Sequence, residues 1–371
     1  MLSVSQQAVE LPVSEVYRDL PQFQDLSILP QRIRFPDINT GLQKAFPIGI
    51  NPFTSEVDPE SHTWFGSYGT IDTRRLSKFR KVGFGHFTGM TFVDAPKDRF
   101  RVSMDYILWL FAFDDCLDEG AWKYDAQGLK LSSAVLCDSK RADGIEGTEL
   151  AFLNMLKDVT NRMSQGCSSE NMERFWTSLD KYVFATKRQA SNRGSEKVLT
   201  IMEFIEMRQD TSAVDMVWAV LEYSLDLDIP TACHDDPAMK ELKLAANDIL
   251  TWANDIYSFP IEYIRGDYQN LVFATLTECN ISSDRALNLV DRLLQERIAQ
   301  YEDAKAAFLS RWSEEVPCVT KYILGIEYWV RGSIEWMFET NRYFGPQTPQ
   351  VEATNEVDTS LLKKWVEQNN K

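Results

Sequence analysis

Apolar residues recur at every third or fourth position along most of the chain after about Trp64, and this spacing predicts amphipathic helices. The segment 101–117 is almost entirely apolar and becomes acidic at its C-terminal end. Strict alternation of apolar and polar residues, which would predict strands, is almost absent. Further helices are predicted at 147–160, 171–190, 200–225, 237–264, 282–310 and 318–343.

The residues before Trp64 have a different character, because prolines and turn residues are concentrated there. Residues 29–53 are expected to form an extended arm with short helical pieces. The sequence therefore predicts an all-α protein of one domain. Its parts are an N-terminal arm with the first short helices at 1–63, a helical core at 64–345 and a C-terminal tail at 346–371.

Charge limits the partners that this chain can bind. The formal net charge is −16 over 371 residues, which argues against nucleic acids and anionic membranes as partners. An anionic substrate can still bind where metal ions or arginines reverse the local field.

The cysteine and histidine content removes other classes of site. The six cysteines include no close pair, and the three histidines are too dispersed for a histidine-based metal site. The first residues lack the basic and apolar regions of a signal peptide, and no apolar stretch approaches the ~18 residues of a membrane span. A reducing, cytoplasmic setting is the expectation.

Three carboxylates stand at the end of the apolar segment 101–117. Asp114, Asp115 and Asp118 lie three and four residues apart and therefore share one helical face. Their mutual repulsion, at a helix end that disfavours negative charge, indicates a bound cation. Oxygen ligands with an incomplete shell suit Mg²⁺ better than Ca²⁺. A solvated helix end followed by an acidic loop explains this cluster equally well on its own.

A second polar cluster occurs far downstream. Asn254, Ser258 and Glu262 are four residues apart in turn, so an amide, a hydroxyl and a carboxylate form one stripe on an otherwise apolar helix. Such mixed oxygen donors suit one Mg²⁺ whose shell is completed by phosphate and water. The alternative is a set of ordinary capping and surface residues, with Pro260 ending the helix.

Together the two clusters resemble the signature motifs of class I terpene synthases, an aspartate-rich DDxxD/E motif followed by NDxxSxxxE. The resemblance extends to the arginine that senses the substrate diphosphate in that family, which corresponds to Arg208, and to a final Arg-Tyr pair, which corresponds to Arg342 and Tyr343. The early segment with Trp64 is similar to that of fungal sesquiterpene synthases. The matching motifs are Asp114-Asp115-x-x-Asp118, Asn254-Asp255-x-x-Ser258-x-x-x-Glu262 and Asn51-Pro52-Phe53 with Glu60-Ser61.

Two positions depart from the family pattern. Many relatives have a lysine where this chain has Ile261, so one phosphate contact is missing. After the sensor arginine, relatives often have Asp and Gly where this chain has Thr211 and Ser212. The detail of the residue that triggers ionisation is therefore left open.

The resemblance implies a helical bundle around a central apolar cavity and a Mg²⁺-dependent cyclase acting on an isoprenoid diphosphate, with farnesyl diphosphate as the expected substrate. It further implies three Mg²⁺ ions, two on the Asp114 cluster and one on the Asn254 stripe. A monomer or a homodimer is expected. The catalytic set is Asp114, Arg208, Asn254, Ser258, Glu262, Arg342 and Tyr343, of which Arg208, Arg342 and Tyr343 donate hydrogen bonds to the diphosphate.

Aromatic residues are candidates for stabilising the carbocation. Phe111 lies one turn before Asp114, and Phe87 and Trp336 stand where relatives place pocket aromatics. Ordinary core packing is an equal alternative for each of the three.

Two other functions remain open from the sequence. A prenyl-chain elongating synthase shares the fold and the metals, although its second motif is usually aspartate-rich, so the Asn/Ser/Glu set favours cyclisation. A non-catalytic isoprenoid- or lipid-binding helical protein would explain the apolar helices but would leave both polar clusters as coincidence.

Overall fold

The structure is a computed structural model that describes residues 29–118, 120, 122–123, 131, 145–195, 198–314 and 316–369. The part of the predicted N-terminal arm before Leu29 lies outside these residues. No helix in the described ranges combines the length and the apolar character needed to cross a membrane.

The architecture is all-α, as predicted. The first half contains α1 (Ile38–Ala45), α2 (Thr54–Ser67), α3 (Thr73–Arg80), α4 (Phe84–Thr91), α5 (Lys97–Asp118), α6 (Gly147–Ser164) and α7 (Ser169–Gly194). The second half contains α8 (Ile201–Thr211), α9 (Val214–Ser224), α10 (Thr231–Asp235), α11 (Pro237–Ile264), α12 (Leu271–Cys279), α13 (Ser283–Trp312), α14 (Cys318–Met337), α15 (Asn341–Phe344), a 3₁₀ turn (Gly345–Gln347), α16 (Thr348–Thr354) and α17 (Thr359–Asn369). Strands β1 (Arg32–Arg34) and β2 (Glu356–Asp358) form one short sheet.

Helix α11 carries the second predicted cluster, and its boundaries agree with the predicted helix 237–264. Asp236 caps its start, because the carboxylate accepts a hydrogen bond from the Ala238 N–H, and a proline occupies the first turn. The alternative in which Pro260 ends this helix is wrong, since the helix continues to Ile264. Pro260 removes one backbone hydrogen bond, and burial of the surrounding apolar side chains maintains the helix.

The predicted helix 200–225 is divided into α8 and α9. Ala213 adopts a left-handed conformation with φ of 61°, which interrupts the helical hydrogen bonding after Thr211. A capping box at Thr200 and Glu203 begins α8. The apolar spacing continues across the break because both helices pack on the same core, so periodicity alone did not reveal it.

Two other helices differ from the predictions. The predicted helix 318–343 ends at Met337, and a short new helix, α15, begins after the Thr340 cap. Helix α12 was not predicted, because its nine residues are buried on most sides and show no amphipathic period.

Two helices at the centre of the molecule present the predicted clusters. Helix α5 packs against α2, α6 and α9, and most of its residues from Phe100 to Phe113 are buried. Helix α11 packs against α13 and α14 and is buried along most of its length. Polar side chains on such helices are held rigidly by the surrounding apolar contacts.

The last residues of the chain return to its first described residues. Strand β2 pairs antiparallel with β1, with Arg32 opposite Asp358, and α17 packs on α11. Gly345 has a φ of 56°, and a Cβ atom there would lie 2.7 Å from the Trp365 ring, so glycine allows the chain to turn after α15.

Candidate active site

The first carboxylate cluster occupies the last turn of α5. The Tyr182 hydroxyl of α7 donates a 2.9 Å hydrogen bond to Asp114 Oδ1. Burial, followed by the charges of Asp118 and Asp115, raises the pKa of Asp114 to about 7. The site thus concentrates negative charge that a bound cation would stabilise.

Arginines from two distant segments contact the other carboxylates of this cluster. Arg342 forms an ion pair with Asp115 at 2.8 Å. Arg193 donates to Asp118 at 2.7 Å and to Asp267, in the loop after α11, at 2.9 Å. Arg193 therefore links the end of α5 to the end of the helix that carries the second cluster.

The second cluster forms a stripe along α11. Asn270, immediately before α12, donates its side-chain N–H groups to Glu262 Oε2 at 2.8 Å and to Ser258 Oγ at 3.3 Å. Burial, followed by the charges of Asp255 and Asp267, raises the pKa of Glu262 to about 8. This carboxylate is also in a position where a cation would favour its charged form.

Arg208 lies on α8 against this stripe. Its guanidinium donates to Asn254 Oδ1 at 3.1 Å and pairs with Asp255 Oδ1 at 3.2 Å. The other oxygen of Asp255 accepts the backbone N–H of Leu271 at 3.0 Å. Both Asp255 oxygens are thus engaged by contacts within the protein.

The electrostatics of Arg208 connect the two clusters. Burial opposes its charge, but Asp255 and Glu262 of α11 raise its pKa, and Asp114 and Asp118 of α5 contribute in the same direction. Reciprocally, Arg208 lowers the pKa of Asp114. The adjacent residues Arg342 and Tyr343 contact Asp115 and Asn254 respectively, so the two clusters lie around one common region.

The Arg-Tyr pair on α15 reaches both clusters. The Asn254 amide donates to the Tyr343 hydroxyl oxygen at 2.9 Å, whereas Arg342 contacts Asp115. Burial, opposed by the nearby Arg342 charge, raises the pKa of Tyr343 to about 12, so the hydroxyl keeps its proton and can donate it in a hydrogen bond.

The candidate pocket aromatics form one group of rings. The centroid of Phe111 lies 5.2 Å from that of Phe87 and 5.7 Å from that of Trp336, and Phe87 and Trp336 are 5.1 Å apart. Phe84, which the sequence did not single out, lies 4.4 Å from Phe111. The Arg342 guanidinium carbon is 6.0 Å from the Phe111 centroid, so this group borders the polar clusters.

The donor set fits a hard divalent cation. Every candidate ligand presents oxygen, and both Asp114 and Glu262 are partly buried among like charges. Within the described part of the chain, no three Asp, Glu, His or Cys side chains converge into a complete metal site.

Comparison with known proteins decides the family. The model of terpene synthase family 2, C-terminal metal binding, matches residues 105–300, which include both clusters and Arg208. The chain belongs to this terpene synthase family. Its members are lyases that act on isoprenoid diphosphates, and the metal-binding description of the family indicates a divalent metal.

Fungal proteins are among the relatives of this terpene synthase. Sesquiterpene synthase 3 of Postia placenta is 31% identical over 86% of this chain and 86% of its own length. Sesquiterpene synthase 1 of the same fungus is 29% identical over 88% and 95%, and sesquiterpene synthase Agr1 of Cyclocybe aegerita is 27% identical over 88% and 93%.

Solved structures support the same fold at low sequence identity. The reconstructed ancestral protein SVS_A2 matches with a TM-score of 0.70 at 18% identity, covering 83% of this chain and 90% of its own. Linalool/nerolidol synthase from Streptomyces clavuligerus matches with a TM-score of 0.68 at 16% identity, covering 79% and 98%.

Several residues at the site of this terpene synthase were missed from the sequence. Tyr182, Arg193 and Asp267 contact predicted site residues only through the tertiary fold, and nothing in their local sequence indicates this. Asn270 had a usable signal, because an asparagine before the apolar run that begins at Leu271 is typical of a helix N-cap.

Proposed function

We propose that this terpene synthase converts farnesyl diphosphate, a C15 substrate, into a cyclic sesquiterpene hydrocarbon or alcohol and releases diphosphate. The position of Arg208 is the main support for this proposal. Its guanidinium contacts the second cluster directly, and the charges of the first cluster raise its pKa. Two oxygen-rich clusters and a partly buried guanidinium around one region suit the binding and ionisation of a diphosphate ester. The fungal relatives named as sesquiterpene synthases support the C15 chain length.

Mg²⁺ is the proposed metal, with three ions in total: two held by Asp114, Asp115 and Asp118 and one by Asn254, Ser258 and Glu262. Bound at these residues, Mg²⁺ would act as a Lewis acid on the diphosphate oxygens and stabilise the charge that develops as the C–O bond breaks. Arg208, Arg342 and the Tyr343 hydroxyl would donate hydrogen bonds to the same leaving group.

The apolar side chains of the site have a separate role in the proposed reaction. A carbocation must be kept away from water, and buried side chains around α4, α5 and α14 exclude it. The faces of Phe87, Phe111 and Trp336 would stabilise passing positive charge by about 0.5–2 kcal/mol each. Their contact with Arg342 through Phe111 joins this region to the diphosphate end.

The organisation of the chain is also a proposal. We take 1–63 as an N-terminal arm with short helices, 64–345 as the catalytic core and 346–371 as a C-terminal tail of one domain, active as a monomer or homodimer. The pairing of β1 with β2 supports a single folding unit. Light scattering during size-exclusion chromatography would distinguish monomer from dimer.

The purified enzyme should be incubated with C10, C15 and C20 prenyl diphosphates and Mg²⁺, and the volatile products separated by gas chromatography. A cyclic C15 hydrocarbon or alcohol is the expected product. Preferential turnover of the C10 or C20 substrate would overturn the C15 assignment. A longer linear diphosphate, formed when isopentenyl diphosphate is added, would indicate chain elongation, and binding without turnover would indicate a carrier.

A further inference from the structure

Asn270 lies at the junction between the second cluster and the start of α12. It is 1% exposed, and its Nδ2 atom is 2.8 Å from Glu262 Oε2 and 3.3 Å from Ser258 Oγ. The same nitrogen donates to the backbone carbonyl oxygen of Asp255 at 2.8 Å. The contacts of this one amide therefore span two turns of α11, and they include two of the three proposed oxygen ligands on that helix.

The opposite end of the Asn270 side chain is fixed independently. Its Oδ1 atom accepts the Val272 N–H at 2.8 Å as the N-cap of α12. The next residue, Leu271, donates its backbone N–H to Asp255 Oδ2 at 3.0 Å. The amide plane is thus held by helix α12 on one side and by helix α11 on the other, which leaves it little rotational freedom.

The chemistry of this contact differs from that at the first cluster. Asp115 and Asp118 contact cationic arginines, which compete for the carboxylate charge. Asn270 is neutral, so it directs the Glu262 carboxylate without neutralising it. A carboxylate held by a neutral donor keeps its charge available for a metal ion, and outer-shell partners of this kind tune metal affinity.

We propose that Asn270 is a positioning residue, which holds Glu262 and Ser258 in the orientation that binds the metal of the second cluster. The inference rests on the proposed function, because it takes Glu262 and Ser258 as metal ligands. Asn270 itself acts through these two side chains.

Asn270→Ser is the informative variant, because serine keeps an N-cap oxygen for α12 but cannot reach Glu262. The melting temperature should be measured with inorganic diphosphate at fixed concentration while Mg²⁺ is titrated. The expected result is a Mg²⁺ midpoint raised roughly 10-fold or more. Turnover should show the same increase in the Mg²⁺ requirement, with most of kcat restored at saturating Mg²⁺.

Asn171→Ser is the matched control. Asn171 is also buried, and its amide donates to the Ala219 backbone oxygen at 3.0 Å. This variant should lower the ligand-free melting temperature and leave the Mg²⁺ midpoint at the wild-type value. A global loss of stability is thereby separated from a loss of ligand orientation.

The outcomes separate two failures. If the wild-type enzyme shows no joint stabilisation by Mg²⁺ and diphosphate, the proposed function fails. A different combination refutes only the positioning role. In that case the wild type responds to Mg²⁺ and diphosphate, Glu262→Gln abolishes the response, and Asn270→Ser retains the wild-type Mg²⁺ midpoint. If Asn270→Ser does not fold, Asn270→Asp is the deciding variant, because aspartate keeps the N-cap of α12 but places a carboxylate against Glu262. An unchanged Mg²⁺ midpoint in Asn270→Asp would equally refute the positioning role.

Discussion

At the scale of single residues, partly buried carboxylates with raised pKa values dominate the site. Asp114 and Glu262 each lie near other acidic groups, and among the described residues neither has an arginine as its hydrogen-bond partner. Tyr182 and Asn270, the neutral donors, orient them instead. Such an arrangement is unfavourable for folding by itself, and a bound cation would offset the unfavourable charge.

Asp114→Asn tests the first cluster. We expect kcat/KM to fall by more than about 10³-fold, since losing a single oxyanion donor already costs about 10²–10³-fold. The melting temperature without ligands should be unchanged or higher, because the change removes a partly buried acidic group near Asp115 and Asp118. Activity assays and thermal melts measure the two effects. Asp235→Asn, at an exposed pair with Lys240, is the control and should change neither. Normal activity in Asp114→Asn would exclude a metal-ligand role.

Arg208→Gln tests the diphosphate sensor. Turnover should fall by about 10²–10³-fold as one donor to the leaving group is lost. The melting temperature should also fall, because buried Asp255 loses its charged partner. Arg311→Gln, which breaks an ion pair with Asp236 near the surface, provides the comparison and should retain full turnover. Retention of turnover in Arg208→Gln would remove the sensor role.

At the scale of elements, helix α5 places its aromatic side chains in two different surroundings. Phe111 faces Phe84, Phe87 and Trp336, whereas Phe113 contacts Trp109, Phe152 and other rings near α6. Residues two apart on a helix differ by about 200°, so they point to nearly opposite sides. The two phenylalanines therefore separate pocket effects from core effects.

Phe111→Leu should change the ratio of cyclic products more than it changes the rate of substrate consumption. The reason is that leucine keeps this part of the proposed pocket apolar but removes one aromatic face. Phe113→Leu should lower the melting temperature, because it removes ring contacts from the core, and it should leave the product ratio unchanged. Gas chromatography of both reactions provides the measurement. Identical product profiles in the two variants would assign Phe111 to ordinary core.

Local patterns predicted the long elements and failed where tertiary contacts decide the structure. Helix α11 was predicted correctly because its apolar spacing persists over many turns, even through Pro260. The break at Ala213 was missed, since a single left-handed residue leaves the spacing intact. Likewise, Asp114 and Glu262 are evident from their spacing, while Tyr182 and Arg193 come from α7 and meet the first cluster only after folding.

At the scale of the whole molecule, the site is assembled from distant segments. Helices α5, α7, α8, α11 and α15 each contribute side chains, and the Arg208 contacts on α11 couple two of them. A ligand that bridges both clusters would therefore connect these elements directly. Stability should respond to such a ligand over the whole chain.

Mg²⁺ and inorganic diphosphate together should raise the melting temperature, whereas either alone should have little effect. For a ligand at 100 times its Kd, the expected stabilisation is about 2.7 kcal/mol. Differential scanning fluorimetry measures the shift, and excess EDTA should reverse it. Glu262→Gln should retain the wild-type melting temperature without ligands and lose the joint shift. A wild-type enzyme indifferent to the pair would argue against the whole assignment.

The pairing of β1 with β2 has a consequence for biosynthesis. Arg32 pairs with Asp358, so the first described strand has no partner strand until the ribosome has synthesised residues 356–358. Arg342 and Tyr343 also emerge late from the ribosome, long after Asp114 and Glu262. A nascent chain can thus hold the acidic side chains of the site while still lacking the Arg-Tyr pair, which we propose binds the leaving group. On this proposal, turnover requires that translation has passed Tyr343.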